Sequence, residues 1–133
     1  MSRRSAREVA FKVLFQTDLV QADPEESLNY LIVDMNMSQK DLDFTRSLIL
    51  GTIENRNELD QRIANYSPEW TLERMGAVDR NLLRMAAFEI LFGDDVHPVV
   101  AIDEAVELAK KFGDGNSKSF INAILDRIKE ENQ

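Results

Sequence analysis

The side chains best suited to chemistry are basic and lie at the start of the chain. Within the first twelve residues Arg3, Arg4, Arg7 and Lys12 stand against one acidic residue, Glu8, whereas the whole chain of 133 residues carries a net charge of −8. A basic cluster attracts phosphate through Coulomb terms and counterion release, and arginine adds a planar fork that can stack on bases. The pattern indicates a local nucleic-acid-binding tip. The alternative is a helix start that is merely solvated.

Aromatic residues lie in line with these arginines. If the segment is helical, Arg4, Arg7, Phe11 and Phe15 fall at i, i+3, i+7 and i+11 and form one stripe. Cations that hold phosphates beside a ring that stacks on an unpaired base are typical of single-stranded RNA recognition. The rings could instead belong to the core. The core is the favoured place for Phe11, and for Phe15 both interpretations stay open.

A second polar group lies at the predicted start of the last helix. Ser117, Lys118 and Asn122 follow Asn116 there, with Phe120 among them. Free backbone N–H groups and the positive end of the helix dipole attract a phosphate at such a place. Helix capping explains Asn116 and Ser117 equally well.

The sequence contains few residues that could form a metal site, a nucleophilic catalytic site or a phosphate-binding loop. There is no cysteine, which excludes disulfides and thiolate metal sites, and the sole histidine, His97, lies beside Pro98 in a predicted connection. No phosphate-binding glycine loop occurs, and the acidic residues around Glu104 suit the dipole of their helix. We therefore expect a protein that is not an enzyme and has no metal or cofactor. No apolar run approaches the length of a membrane span, so we expect a cytoplasmic protein.

Hydrophobic periodicity predicts helices almost throughout and leaves little sequence for strands. Gly51 lies inside one of them and marks either a close helix crossing, which we favour, or a break. The predicted helix over Val78–Phe92 is apolar on nearly every side and should be the most buried. The predicted helices cover Arg3–Val20, a shorter stretch from Asp23-Pro24, Ser38–Tyr66, a turn at Leu72–Met75, Val78–Phe92, Val99–Phe112, and a last helix from Asn116-Ser117.

The connections between these helices are short and polar, which predicts antiparallel neighbours packed as bundles. We expect an all-α fold of about seven helices in two small helical bundles. Residues 1–133 should form one domain, with a subdomain seam near residues 67–76.

These residues resemble the NusB family of bacterial transcription antitermination factors along essentially the whole chain. Its C-terminal signature is matched by AIDEAVELAK at Ala101–Lys110, by Phe112-Gly113 and by KSFINAILD at Lys118–Asp126. RRSARE at Arg3–Glu8 is similar to its arginine-rich RNA-binding motif, and its middle is matched by YSPEW at Tyr66–Trp70 and VDRNLLR at Val78–Arg84.

The resemblance implies a function in transcription. The chain would bind the single-stranded boxA element of leader RNA jointly with NusE, which is also a protein of the small ribosomal subunit. The pair would join an RNA polymerase complex that lets ribosomal RNA transcription run past terminators. The alternatives are a protein-interaction or dimerisation module that does not need RNA, and the RNA-binding part of an RNA cytosine methyltransferase. Whether the free protein is a homodimer stays open.

The resemblance also implies which side chains meet RNA and NusE. Arg4 and Arg7 should be exposed, so that their loss barely changes thermal stability. For Phe120 we favour contact with RNA over the alternative of a core position on the stripe with Ile124 and Ile128, and Asp79 is expected on the NusE surface. The arginine motif is sparse, so affinity without NusE should be low, and position 15 is Phe where Tyr is common in the family. The implied RNA contacts are Arg3, Arg4, Arg7, Phe15, Ser117, Lys118, Phe120 and Asn122.

Overall fold

The structure, a computed structural model, describes residues 3–93 and 96–132. These residues form seven α-helices and one short 3₁₀ helix, with no strand among them, so the predicted all-α class is confirmed. None of the described helices is long and apolar enough to cross a membrane. The helices are α1 Arg3–Val20, α2 Pro24–Ile32, α3 Gln39–Glu54, α4 Arg56–Ala64, the 3₁₀ helix Leu72–Arg74, α5 Ala77–Phe92, α6 Pro98–Phe112 and α7 Ser117–Glu131.

Side-chain caps determine where several helices begin. Asp23, Ser38 and His97 each accept a hydrogen bond from a backbone N–H group two or three residues further on. Such caps satisfy donors that have no partner inside the helix. Because these residue types are visible in the sequence, the starts of α2, α3 and α6 fall within one residue of their predicted places.

The single helix predicted over Ser38–Tyr66 is wrong, because the chain forms two helices that meet at Asn55. The backbone of Asn55 leaves the helical region, at φ −104° and ψ 15°. Its backbone N–H and its side-chain Nδ2 both donate to the carbonyl of Gly51, at 3.1 and 2.8 Å. Asparagine readily bonds to nearby backbone groups in this way and so favours helix ends. The apolar pattern runs through the break without interruption, which is why periodicity did not reveal it.

The favoured interpretation of Gly51, a close helix crossing, is confirmed. A Cβ atom at Gly51 would overlap the ring of Phe88 on α5. The missing side chain therefore lets the backbone of α3 approach α5 more closely than any other residue would allow.

The helix α5 is the centre of the fold, as its nearly all-round apolar sequence predicted. It packs against α1, α3, α4, α6 and α7, and nine of its sixteen side chains are buried. In one group of helices, α2 and α3 pack on α1. In the other group, α4 and α6 pack on α7. The two small bundles thus share α5, and the buried apolar side chains of the described residues join in one hydrophobic cluster.

Candidate nucleic-acid interface

The arginines at the start of α1 share one open cleft with the start of α6. This arginine cleft has a volume of about 690 Å³ and is lined by Arg3, Arg4, Arg7, Val96, His97, Val100 and Glu104. The guanidinium carbon of Arg3 lies 4.1 Å from the centre of the Phe44 ring, in the geometry of a cation–π contact. The side chain of Arg4 is 64% exposed, and its Nε and Nη2 donate to the carboxylate of Glu104 at 2.9 and 3.2 Å. The structure therefore brings the three predicted arginines together.

Arg7 is buried, and the prediction that its side chain is exposed is wrong. Only 3% of the residue is accessible. Its Nε and Nη2 donate to the two carboxylate oxygens of Glu89 at 2.9 and 2.8 Å. Since Glu89 is buried on α5, each charge needs the other. The guanidinium of Arg7 has almost no surface left for a phosphate, so it holds α1 against α5.

Three phenylalanine rings line a second cleft, next to the outer face of α1. This aromatic groove has a volume of about 360 Å³ and is lined by Phe11, Phe15, Phe112, Lys12, Gln16 and Val78. The ring centres of Phe11 and Phe15 are 5.9 Å apart, and those of Phe11 and Phe112 are 5.3 Å apart. Phe11 is buried, which confirms the favoured core interpretation. Phe15 is half-buried and keeps part of its ring at the groove.

Two lysines stand over the aromatic groove and share one carboxylate. The Nζ atoms of Lys12 and Lys111 lie 5.8 and 5.3 Å from the centre of the Phe112 ring. They lie 3.3 and 2.7 Å from the carboxylate oxygens of Glu8. Burial would raise the pKa of Glu8, but its hydrogen bonds with the lysines outweigh that effect and leave the pKa below its ordinary value. Lys111 and Phe112 were not predicted as site residues, because only the fold places them beside α1.

At the start of α7 the predicted side chains divide into buried and exposed ones. Ser117 is buried, and its hydroxyl oxygen accepts a hydrogen bond from the backbone N–H of Asp114 at 3.1 Å. This contact agrees with the capping alternative for Ser117, because the hydroxyl is used in the turn that begins the helix, and the predicted RNA contact of Ser117 stays a prediction. Lys118 and Asn122 are exposed, and the amide of Asn122 donates to Asp126 at 3.3 Å.

Phe120 lies at a third cleft, beside the start of α5. This α7 cleft has a volume of about 330 Å³ and is lined by Trp70, Arg74, Met75, Gly76, Asp79, Asp114, Asn116 and Phe120. Phe120 is half-buried, so it packs on the core with one part and lines the cleft with another. Trp70 is half-exposed, and the guanidinium of Arg74 lies 5.6 Å from its ring centre. The sequence reading did not include Trp70 or Arg74 among the site residues.

Asp79 lies in the same cleft as Phe120, so the residue predicted for NusE and a residue predicted for RNA are neighbours. Burial raises the pKa of Asp79 above its ordinary value, and the nearby carboxylate of Asp114 adds to this. A hydrogen bond with the Ser117 hydroxyl acts in the opposite direction. A cation from a partner would therefore stabilise the negative charges of Asp79 and Asp114 in this cleft.

Among the described residues no group of histidine and acidic side chains could hold a metal ion. His97 has its Nδ1 atom committed to the N-terminus of α6, where it accepts from the backbone N–H of Val99 at 3.2 Å.

Comparisons with known proteins find similar sequences and similar all-helical folds. The model of the NusB family matches residues 4–130. A transcription antitermination protein NusB of Syntrophomonas wolfei subsp. wolfei is 56% identical over 128 residues, which cover 96% of each chain. The solved structure of T. maritima NusB is similar with a TM-score of 0.92 at 41% identity, over 99% of this chain and 93% of that one. A chain in the crystal structure of antitermination factors NusB and NusE in complex with dsRNA is similar with a TM-score of 0.88 at 27% identity, over 97% and 96% of the two chains.

Proposed function

Since the chain belongs to the NusB family, we propose that it is an RNA-binding antitermination factor without enzymatic activity. It binds the single-stranded boxA element of leader RNA jointly with NusE, in the cytoplasm. The pair enters an RNA polymerase complex that carries ribosomal RNA transcription past terminators.

One observation supports this proposal most directly: the three clefts are linked by shared helices, because α1 and α6 line both the arginine cleft and the aromatic groove, and α5 lines both the aromatic groove and the α7 cleft. Glu104 on α6 lines the arginine cleft, and further along the same helix Phe112 lines the aromatic groove. The aromatic groove reaches Val78, and the next residue, Asp79, lines the α7 cleft. We call the surface formed by these three clefts and the side chains around them the strip; it carries both cations and partly exposed rings.

Such a strip fits a single strand better than a duplex. In an unpaired strand the bases are free to stack on aromatic rings while lysine and arginine hold the phosphates. Phe15 and Phe120 offer partly exposed rings, Arg4 offers an exposed cation, and the exposed Lys118 lies two residues before Phe120 on α7. A duplex keeps its bases paired, so it could meet the strip through its phosphates and sugars but could not stack its bases on these rings.

Joint binding with NusE is supported by charge. The strip also contains the carboxylates of Glu8, Asp79 and Glu104, and the chain as a whole carries a charge of −8. Carboxylates near the strand repel its phosphates, so the chain alone should bind RNA weakly. A partner that covers Asp79 and adds its own cations removes part of this repulsion.

A titration of boxA RNA with and without NusE, at several salt concentrations, tests the proposal. Wild type should bind boxA RNA more tightly than a scrambled RNA of equal composition, and NusE should strengthen binding. Lys118→Ala should weaken binding and reduce the log–log salt slope by about one unit or less. Lys129→Ala, at the far end of the same helix, is the matched control and should change neither quantity.

The result would contradict the proposal if RNA binding were absent in low salt with NusE present. It would also do so if the two lysine variants behaved alike. Self-association without any salt-dependent RNA binding would favour the alternative of a dimerisation module.

A further inference from the structure

Three cations of the strip on α1 and α6 are already engaged by carboxylates of this chain. Arg4 is held by Glu104, and Lys12 and Lys111 by Glu8. Of these contacts, the one between Arg4 and Glu104 uses two parallel hydrogen bonds, from Nε and Nη2, at 2.9 and 3.2 Å. This is the fork with which an arginine also binds a phosphate in two-point fashion.

We propose that Glu104 is an autoinhibitory residue, which occupies the phosphate-binding fork of Arg4 in the free protein and must be displaced when RNA binds. The inference rests on the proposed RNA-binding function and adds to it a reason for weak binding without a partner.

The two side chains differ in how firmly the fold holds them. Glu104 is 16% exposed and is fixed within α6, whereas Arg4 is 64% exposed at the first turn of α1. Because of its exposure, Arg4 is free to turn from the carboxylate to a phosphate. When it does so, the ion pair with Glu104 is lost, and the unpaired carboxylate of Glu104 remains in the same cleft as the RNA phosphates and repels them. Both effects lower the affinity for RNA.

Glu107 provides a matched control on the same helix. It lies one turn beyond Glu104 and is close enough to act on Arg4 through Coulomb attraction, but it forms no hydrogen bond with it. Its carboxylate instead accepts a hydrogen bond from Lys110 at 3.2 Å. Glu107→Gln therefore removes one negative charge from the same neighbourhood without freeing the fork of Arg4.

The experiment measures the affinity of the full chain for a boxA-type RNA, without NusE and in low salt. The proteins are wild type, Glu104→Gln, Glu107→Gln, Arg4→Ala and the double variant Arg4→Ala with Glu104→Gln. Glutamine keeps the shape of the side chain, and equal unfolding midpoints would show that all variants are folded.

Glu104→Gln should tighten RNA binding by up to about fivefold, which corresponds to the loss of an exposed ion pair of ordinary strength. It should also steepen the salt dependence, since one more cation becomes available to neutralise a phosphate. Glu107→Gln should have a smaller effect. In the Arg4→Ala background, Glu104→Gln should have only the small effect expected of any removed charge.

Three results would overturn the inference. Equal gains from Glu104→Gln and Glu107→Gln would show a general charge effect. A full gain in the Arg4→Ala background would show that Glu104 does not act through Arg4. Weaker binding by Glu104→Gln would make Glu104 a residue that orients Arg4 for RNA. In each case wild type still binds RNA, so the proposed function survives, whereas an absence of binding in all five proteins that persists after NusE is added would remove both.

Discussion

The buried pair between Arg7 and Glu89 makes a strong prediction about stability. Glu89→Ala would leave a guanidinium that is almost fully buried without its two hydrogen bonds of 2.8 and 2.9 Å. Loss of one member of such a pair costs about 3–5 kcal/mol, because the remaining charge is buried without compensation. For a domain of this size that corresponds to a fall in Tm of about 10–20 °C.

Urea unfolding followed by circular dichroism would measure this loss, with a lower midpoint at an unchanged slope. Arg4→Ala serves as the control, because it removes only an exposed ion pair and should leave the unfolding midpoint nearly unchanged. The double variant Arg7→Met with Glu89→Leu should recover most of the stability, since well-packed apolar side chains often replace a buried pair without loss. If Glu89→Ala cost less than about 1 kcal/mol, the pair would have to be solvated and the reasoning would fail.

Three further predictions follow from single positions. Gly51→Ala should lower stability by about 1–3 kcal/mol, because the new Cβ overlaps the Phe88 ring. Calorimetry on this variant and on one that also carries Phe88→Ala would show whether a smaller side chain relieves the overlap. Phe120→Ala should lower the stability by about 1–2 kcal/mol, because the ring is only partly buried and loss of a fully buried phenylalanine costs about 3–5 kcal/mol. It should also weaken RNA binding by about 1–3 kcal/mol. Unaltered RNA binding by its folded fraction would assign Phe120 to the core alone. The pKa of Asp18 lies below its ordinary 3.8, since burial would raise it but the hydrogen bonds from Arg80 outweigh burial. Its contribution to stability is therefore present above pH 3.8 and is lost as the pH falls through the lower folded value, so Asp18→Asn should flatten the acid limb of stability measured by urea unfolding.

Sequence reasoning located the helices well where a local signal marks their ends. α1 has its predicted bounds, and α6 begins one residue early at Pro98, after its cap. The sequence did not predict the break between α3 and α4 at Asn55, because the apolar pattern continues through it and the only sign of it is one side chain bonded to the backbone. The subdomain seam near residues 67–76 stays a prediction.

For the candidate site, the sequence identified residue types better than their burial. Arg7 precedes Phe11 by four residues, so both lie on one face of α1, and the expected burial of Phe11 was a sign against an exposed Arg7. The missing clue was Glu89, an acidic residue within the apolar sequence of α5, which indicates a buried partner of opposite charge. Lys111 and Phe112 were beyond reach, because they approach α1 only in the folded chain. The RNA and NusE contacts themselves stay predictions.

The shared position of α5 has a consequence for hydrogen exchange. Since α5 lies against both groups of helices, its amides become accessible only when the whole domain opens, whereas α2 packs mainly on α1 and can open alone. A ligand that binds only the native state raises the free energy of global opening by its own binding free energy. RNA bound along α1 and α7 should therefore slow exchange in the buried middle of α5, which it never touches, and leave exchange in α2 unchanged.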